Sequence, residues 1–271
     1  MEDHYCAVLV SFFIVPLLLT APVEGVSAEP KNMIYQVMWQ SDNISGELYV
    51  NGFIIAGFKG SQSAGGVPVN PFLIGKNKIW VKVRRADLSK PAHLSFNVSK
   101  FDKGDIAATN ERGNLVTVEL RDDYFKGAGV MTMGKEFESA LNFSKNLSGT
   151  GNVNEKDVIE YAKRIYDLFK TKNATAILKE FTVKINDYAK AYSSDGVAAE
   201  FESYLKQDLL TGNLAKIDPK NLKAKKSGPH DKLWQVFEGE KELIRITSKD
   251  GSMEEMSMYF GIVDGKLQVL R

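Results

Sequence analysis

The hydrophobic period of this chain changes near residue 154, and that change constrains the fold more than any other feature. Before Leu120, apolar and polar residues alternate, as in the stretch 78–84. A period of two is typical of half-buried strands. From Asn154 onward apolar residues recur every three or four positions, as at Val158 and Ile165, which is typical of an amphipathic helix. The switch predicts two domains of different class, and 271 residues are enough for both.

The first of these domains is predicted to be all-β. Asn51-Gly52 separates the β-rich runs 47–50 and 53–56, and an Asn-Gly pair in this context is a strong hairpin signal because both turn residues take positive φ. Alternating runs follow at 93–98 and 115–120. Short strands separated by turn residues predict an antiparallel β-sandwich over residues 29–121.

Part of this domain resembles a known class of module. Leu48-Tyr49-Val50-Asn51-Gly52 and the stretch 70–81 are similar to the "V-N-G … L-x-x-G-x-N-x-I-x-V" pattern of bacterial immunoglobulin-like β-sandwich modules. Accessory domains of carbohydrate enzymes are one group with this pattern. The resemblance implies a sandwich, and sugar binding would further require exposed aromatic rings, for which Trp39, Tyr49 and Trp80 are the candidates.

Residues 122–153 are predicted to be a linker or docking segment. This stretch carries Gly127, Gly129 and Gly134 among Ser and Asn residues, and such composition is typical of loops. Within it, residues 136–141 are expected to form at most a single helical turn or a docking segment.

The second domain, residues 154–271, is predicted to be α+β. Asn154 and Asn173 are placed to cap two helices, and a third is expected from Val197 to a stop at Gly212. Strands are predicted after the helices, and the last two meet at the turn Asp264-Gly265. We therefore expect three helices packed on a curled antiparallel sheet. Four strands are predicted in it, at residues 233–237, 243–247, 256–263 and 267–270.

The order of these elements and the ending Tyr259-Phe-Gly-Ile-Val-Asp-Gly-Lys-Leu-Gln-Val-Leu-Arg271 resemble the cone-shaped, cystatin-like α+β superfamily of nuclear transport factor two. The resemblance implies a cone-like domain. Members include enzymes, ligand binders and interaction modules, so the fold does not select among these functions.

The N-terminal sequence has the pattern of a targeting signal. The run from Cys6 to Val23 has no charge, and Val26-Ser27-Ala28 suits a cleavage site. Residues 1–28 are therefore predicted to be a secretory signal peptide, which places the mature chain in the periplasm or outside the cell. Because no Lys or Arg precedes the apolar run, an uncleaved anchor remains the alternative. Five sequons, which are either glycosylation sites or without consequence, begin at Asn43, Asn97, Asn142, Asn146 and Asn173.

The sequence predicts no catalytic residues, no metal site and no cofactor. Its histidines are His4, His93 and His230, which are too few and too scattered for a transition-metal site. The single Cys6 lies in the predicted signal, and no motif of a serine hydrolase or a phosphate loop is present. A net charge of +1 also argues against nucleic acid as a partner.

The residues proposed to line a ligand pocket lie in the second domain. Tyr166, Trp234 and Tyr259 are candidates for the walls of a cone interior, and His230-Asp231 for an acid and base there. The competing interpretation is that these aromatics fill the core and that His230-Asp231 is an exposed turn.

These observations favour a non-catalytic binding or interaction protein, secreted or periplasmic, whose partner is a protein or a component of the cell envelope. No membrane span is expected after signal cleavage. One alternative is a small-molecule binder or a cone-fold enzyme of the isomerase or dehydratase kind, with its pocket in the second domain. The other is a carbohydrate-binding accessory protein.

Overall fold

The computed structural model describes residues 33–105, 113–125, 127, 129–147 and 153–271. The predicted signal peptide, residues 1–28, lies outside these residues. The described chain divides into two compact units, residues 33–143 and Ser144–Arg271, here called the N-terminal and C-terminal units. In the ranges described, no helix combines the length and the apolar character that a membrane crossing needs.

In its described residues, the N-terminal unit has eight strands in two four-stranded antiparallel sheets. The first sheet has the order β4-β1-β6-β7 and the second the order β3-β2-β5-β8. The strands are β1 (Met33–Asp42), β2 (Ile44–Val50), β3 (Phe53–Lys59), β4 (Ser63–Pro68), β5 (Ile74–Arg85), β6 (His93–Asp102), β7 (Asn114–Leu120) and β8 (Met131–Asn142).

Each sheet of this unit buries alternate residues, as the period of two predicts. On β5, Ile79 and Val81 are buried while Lys78 and Lys82 are exposed. The predicted Asn-Gly hairpin joins β2 to β3, and both turn residues have positive φ, 50° at Asn51 and 81° at Gly52. This conformation matches the right-handed twist of the flanking strands.

Buried asparagines join the loops of this unit, and two of them belong to the V-N-G pattern. Asn51 Nδ2 donates to Asn77 Oδ1 at 2.9 Å and to the Phe72 carbonyl at 2.9 Å, and Asn51 Oδ1 accepts from the Lys78 amide. Asn77 Nδ2 donates to the hydroxyl of Ser139 at 3.0 Å. The pattern therefore encodes a hydrogen-bonded junction of the hairpin, β5 and β8, which is a structural role.

Asn43 has a similar role at another loop. Its side-chain amide donates to the carbonyls of Asp87, Lys90 and Pro91, and the residue is 4% exposed. A glycan on this amide would displace those bonds, so the sequon at Asn43 is incompatible with glycosylation of the folded unit.

Two strands of this unit were not predicted from the sequence. β4 runs through a Gly-rich stretch, and the Trp39 ring covers the space where Gly65 has no side chain. β8 lies in the middle of the predicted linker and pairs with β5 from Val83↔Met131 to Ile74↔Asn142. Of the two alternatives given for residues 136–141, the helical turn is therefore wrong, because pairing with β5 determines the conformation of this stretch.

The C-terminal unit places its helices before most of its strands. The helices are α1 (Ser144–Leu147), α2 (Glu155–Lys170), α3 (Ala174–Glu180), α4 (Thr182–Tyr192) and α5 (Val197–Tyr204). The strands are β9 (Asn213–Leu214), β10 (Leu222–Ser227), β11 (Leu233–Glu238), β12 (Lys241–Glu242), β13 (Ile244–Thr247), β14 (Met253–Met256), β15 (Phe260–Val263) and β16 (Lys266–Val269).

In the described part of this unit the strands form two antiparallel sheets, where one curled sheet was expected. The larger has the order β10-β11-β15-β16 with β12 beside β11, and the smaller has the order β14-β13-β9. β10 is formed from the lysine-rich stretch 222–227, which the sequence did not predict as a strand; it pairs with β11 throughout. The predicted turn at Asp264-Gly265 joins β15 to β16, with positive φ at both residues.

The predicted caps of α2 and α3 are confirmed. Asn154 Oδ1 accepts from the Asp157 amide at 2.9 Å, and Asn173 Oδ1 accepts from the Ala176 amide at 3.1 Å. The predicted second helix is interrupted at Phe181, which separates α3 from α4. The predicted third helix ends in the π-helical turn Leu205–Leu209, where the Leu210 amide donates to the Leu205 carbonyl at 2.9 Å.

The buried face of α2 packs with both sheets in one hydrophobic core. The stripe predicted from the sequence is buried, with Val158 and Ile165 each at 0% exposure. Phe260 of β15 meets Tyr161 edge-on at a ring distance of 5.7 Å. Helix α2 and strands of both sheets therefore contribute to a single core cluster.

Candidate binding sites

The five residues proposed from the sequence do not converge on one pocket. Tyr166 lines a cavity, described below. Trp234 is half-buried on β11 and lies under the ammonium of Lys226, 4.1 Å from the ring centroid. Tyr259 is 3% exposed, and its backbone pairs with Leu270 and Arg271.

His230 and Asp231 lie in an exposed turn before β11. Both have φ near 55°, a left-handed conformation that non-glycine residues rarely adopt. Neither lines the cavity at Tyr166. This placement agrees with the exposed-turn interpretation of the pair.

The cavity at Tyr166 has a volume of about 270 Å³. It is formed by the end of α2, the end of the π-helical turn, the segment around β9, and β13. The Tyr166 hydroxyl donates to the Ala215 carbonyl at 2.9 Å, and this bond fixes the ring as one wall. Burial is the main cause that raises the pKa of Tyr166, so the phenol is neutral at physiological pH.

Glycine is required at one wall of this cavity. A Cβ on Gly212 would lie 2.5 Å from Cγ2 of Ile246 and 2.9 Å from the Thr247 carbonyl oxygen. The chain therefore passes close against β13 at this point. The sequence marked Gly212 only as a helix stop.

Lysines at the rim of the cavity were not identified from the sequence. Lys170, Lys172 and Lys216 line it, and each is exposed. They come from two distant stretches of the chain, so no local motif connects them. The sequence placed only Lys172 near a structural feature, because it lies between the end of the predicted first helix and the cap Asn173 of the second.

A second candidate site lies on the outer face of the sheet that contains β5. The rings of Tyr49 and Trp80 stack with centroids 3.9 Å apart and planes inclined by 5°. Trp80 is half-buried and Tyr49 is 8% exposed, so the indole is the accessible member. The Tyr49 hydroxyl donates to the carboxylate of Glu47, which holds the phenol ring in place.

The neighbour of Trp80 on the other side is Gly134 of the edge strand β8. Gly134 is exposed. A Cβ there would lie 2.5 Å from both the Ile79 carbonyl oxygen and the Trp80 Cβ. The close approach of the strands therefore keeps this position free of a side chain. We call the surface formed by Trp80, Gly134 and the flanking residues of β5 and β8 the indole slot.

Charged and polar side chains flank the indole slot on both strands. Lys78 and Lys82 precede and follow Trp80 on the same face of β5, and they pair in register with Glu136 and Thr132 of β8. All four are exposed. The slot thus combines one apolar ring with hydrogen-bond donors and acceptors around it.

A larger but shallow depression, about 540 Å³, lies before β8 beside Tyr124 and Val130. These two side chains are 50% and 59% exposed. Residues 126 and 128, which border it in sequence, lie outside the described residues. We therefore do not treat this depression as a binding site, and Tyr124 serves below as a control position.

Two groups in the C-terminal unit have shifted pKa values near neutrality. Burial raises the pKa of Glu242 to about 7, against a hydrogen bond from Ser257 that lowers it. Burial lowers the pKa of Lys184 to about 8, and the charge of Arg271 lowers it further. Neither residue lines the cavity at Tyr166. Across the described ranges, His, Cys, Asp and Glu form no group of three or more suited to a metal ion.

Comparisons with protein-family models, with curated proteins and with solved structures find no match to this chain.

Proposed function

We propose that the chain is a non-catalytic extracytoplasmic binding protein that recognises a glycan of the cell envelope through the indole slot. The N-terminal unit is proposed to be an immunoglobulin-like β-sandwich and the C-terminal unit a cone-like α+β domain. The predicted signal peptide, residues 1–28, would deliver both to the periplasm or beyond. The observation that carries the proposal is the Trp80 ring, stacked on Tyr49 on one side and bordered by exposed Gly134 on the other.

The chemistry of a sugar suits this surface. A pyranose ring has an apolar C–H face and a polar rim of hydroxyl groups. The C–H face packs against an indole, and rigid aromatic rings supply such contact area at little conformational cost. The stack with Tyr49 holds Trp80 in place before a ligand arrives, which reduces the entropy lost on binding.

The flanking residues supply the polar contacts. The ammonium groups of Lys78 and Lys82 would donate hydrogen bonds to sugar hydroxyls, and the carboxylate of Glu136 would accept them. In the described part of the chain none of the three forms an ion pair that would occupy it. A few placed polar groups around an apolar surface are typical of sites that orient a small ligand. Because β8 is an edge strand, a polymer can extend past the slot.

Binding to insoluble polysaccharides tests this function. Residues 29–271 would be incubated with peptidoglycan sacculi, chitin and cellulose, and the bound fraction measured after sedimentation. We expect retention on at least one polymer, a loss of about tenfold or more in affinity for Trp80→Ala, which corresponds to about 1.4 kcal/mol, and a smaller loss for Trp80→Phe.

The matched control is Tyr124→Ala, which removes another exposed aromatic ring of the same unit. It should bind like the unchanged protein. Retention by none of the three polymers, or equal retention of Trp80→Ala, would refute the proposal. Loss in Tyr124→Ala but not in Trp80→Ala would move the site to the depression before β8.

A further inference from the structure

The cavity at Tyr166 in the C-terminal unit has features of a second binding site, independent of the indole slot. Its inner wall is apolar and aromatic, with Phe169, Leu209 and Ile246 all at most 3% exposed. Its volume of about 270 Å³ equals roughly nine water volumes at about 30 Å³ each. A ligand of about ten non-hydrogen atoms fits this space.

Positive charge is concentrated at the rim. Lys170 ends α2, Lys172 follows it, and Lys216 comes from the segment after β9. Within the described residues none of the three forms an ion pair. Like charges at one rim repel each other, and an anion in the cavity would relieve that repulsion.

A structural role alone explains only one of these lysines. Lys170 in the last turn of α2 interacts favourably with the helix dipole. Lys172 has a φ of 56°, at a C′ position where glycine is usual. Its amide donates to the Phe169 carbonyl, and the Asn173 amide donates to the Leu168 carbonyl. A lysine here retains a conformational cost that glycine would remove.

Two further features shape the cavity. The π-helical turn Leu205–Leu209 ends at its wall, and π-helical turns occur frequently at functional sites. The bond from Tyr166 to Ala215 fixes the backbone next to Lys216. The apolar wall and the lysine rim therefore lie on defined, hydrogen-bonded segments.

From these observations we infer that the cavity binds a small amphipathic carboxylate, with its aromatic or short aliphatic body against Phe169 and its carboxylate at the lysine rim. Apolar burial holds the body, and the ammonium groups hold the charge. The class includes arylacetates and fatty acids of about six carbons.

Ligand-observed and amide NMR on residues 29–271 test this inference, with phenylacetate and hexanoate as probes. Phenylacetamide and hexanamide are their uncharged counterparts. The test variant is Lys170→Gln/Lys172→Gln/Lys216→Gln. The control is Lys220→Gln/Lys223→Gln/Lys225→Gln, which removes the same charge from exposed residues that do not line the cavity.

We expect at least one acid to bind, with shifts at the amides of Phe169, Gly212 and Ile246. The test variant should bind it about tenfold more weakly, the sum expected for three exposed charge contacts, and the control should bind like the unchanged protein. Circular dichroism would establish that both variants fold.

The inference is overturned if neither acid binds at millimolar concentration, if the amides bind as tightly as the acids, or if both triple variants weaken binding equally. Trp80→Ala should leave this binding unchanged. The outcome is therefore separable from that of the glycan experiment.

Discussion

At the residue scale, two positions carry a feature that costs folding free energy. One is a strained backbone beside a candidate site, and the other is a buried carboxyl group. Lys172 has a left-handed backbone at the rim of the cavity. Glu242 is a largely buried carboxyl with a pKa near 7. Each makes a prediction that separates its effect on stability from any effect on binding.

Lys172→Gly should stabilise the C-terminal unit by up to about 1 kcal/mol. Glycine removes the cost of the left-handed conformation, and the greater freedom of glycine in the unfolded chain offsets part of the gain. Lys170→Gly removes the same charge from the last residue of α2 and should destabilise the unit, because glycine lowers helix propensity. Urea unfolding of the two variants compares them, and equal effects would contradict the backbone argument.

Glu242 should make stability fall as pH rises from about 4.5 to about 7. Because its pKa is raised in the folded state, the folded protein binds this proton more tightly than the unfolded chain does in that window. The loss is about 1 to 3 kcal/mol, complete above pH 7. Glu242→Gln should remove this part of the pH dependence, whereas Glu240→Gln, an exposed neighbour, should retain it. Unfolding free energies at pH 5 and pH 8 provide the measurement.

At the element scale, the asparagine junction in the N-terminal unit connects the hairpin to β5 and β8. Asn77 Oδ1 accepts from the Ile74 amide at 2.8 Å as well as from Asn51, and Asn77 is 2% exposed. Removal of this side chain leaves several buried polar groups without their partner.

Asn77→Ala should therefore destabilise the N-terminal unit by about 3 kcal/mol, since each unsatisfied buried group costs about 1 to 3 kcal/mol. Lys78→Ala, at the next position on the same strand and exposed, should change stability by less than about 0.5 kcal/mol. Chemical denaturation of both variants tests the difference, and a loss below about 1 kcal/mol for Asn77→Ala would contradict the structural role of the pattern.

Period and turn chemistry predicted the elements that depend on local sequence. The hairpin at Asn51-Gly52, the caps at Asn154 and Asn173 and the buried stripe of α2 are examples. Elements stabilised mainly by a partner strand were missed. β4 is rich in glycine and β10 in lysine, so neither has the apolar alternation of a strand. Hydrogen bonds to β1 and β11 stabilise their extended conformation instead.

The candidate sites were predictable only in part for the same reason. Trp80 and Tyr49 were named as possible exposed aromatics, and Tyr166 as a pocket wall. Gly134 and Lys216 acquire their roles from neighbours far along the chain, Trp80 and the end of α2. Residues that are so far apart in the sequence form no local motif, so their proximity could not be predicted from it.

At the scale of the whole molecule, the chain is rich in antiparallel sheet, with its helices in the C-terminal unit. A buried ion pair connects distant parts of that unit. Arg271 Nη1 donates to Asp187 Oδ2 at 2.8 Å, with both side chains at most 3% exposed. Asn146 Nδ2 donates to the other oxygen of the carboxylate at 2.8 Å.

Arg271→Ala should destabilise the C-terminal unit by about 3 to 5 kcal/mol, because it leaves a buried carboxylate without its cation. Lys266→Ala, which removes an exposed cation from β16, should have little effect. Thermal unfolding followed by circular dichroism compares the two, and similar midpoints would show that the buried pair is dispensable.

The most direct test of the proposed function observes Trp80 itself during binding. Trp39→Phe/Trp234→Phe leaves Trp80 as the one tryptophan of the chain. Its fluorescence would be recorded while chitin tetrasaccharide or soluble peptidoglycan fragments are added, together with quenching by acrylamide. If a sugar ring packs on the indole, emission shifts to shorter wavelength and quenching falls, both saturating with the bound fraction. Glycan binding without any change at Trp80, or no binding at all, would contradict the account.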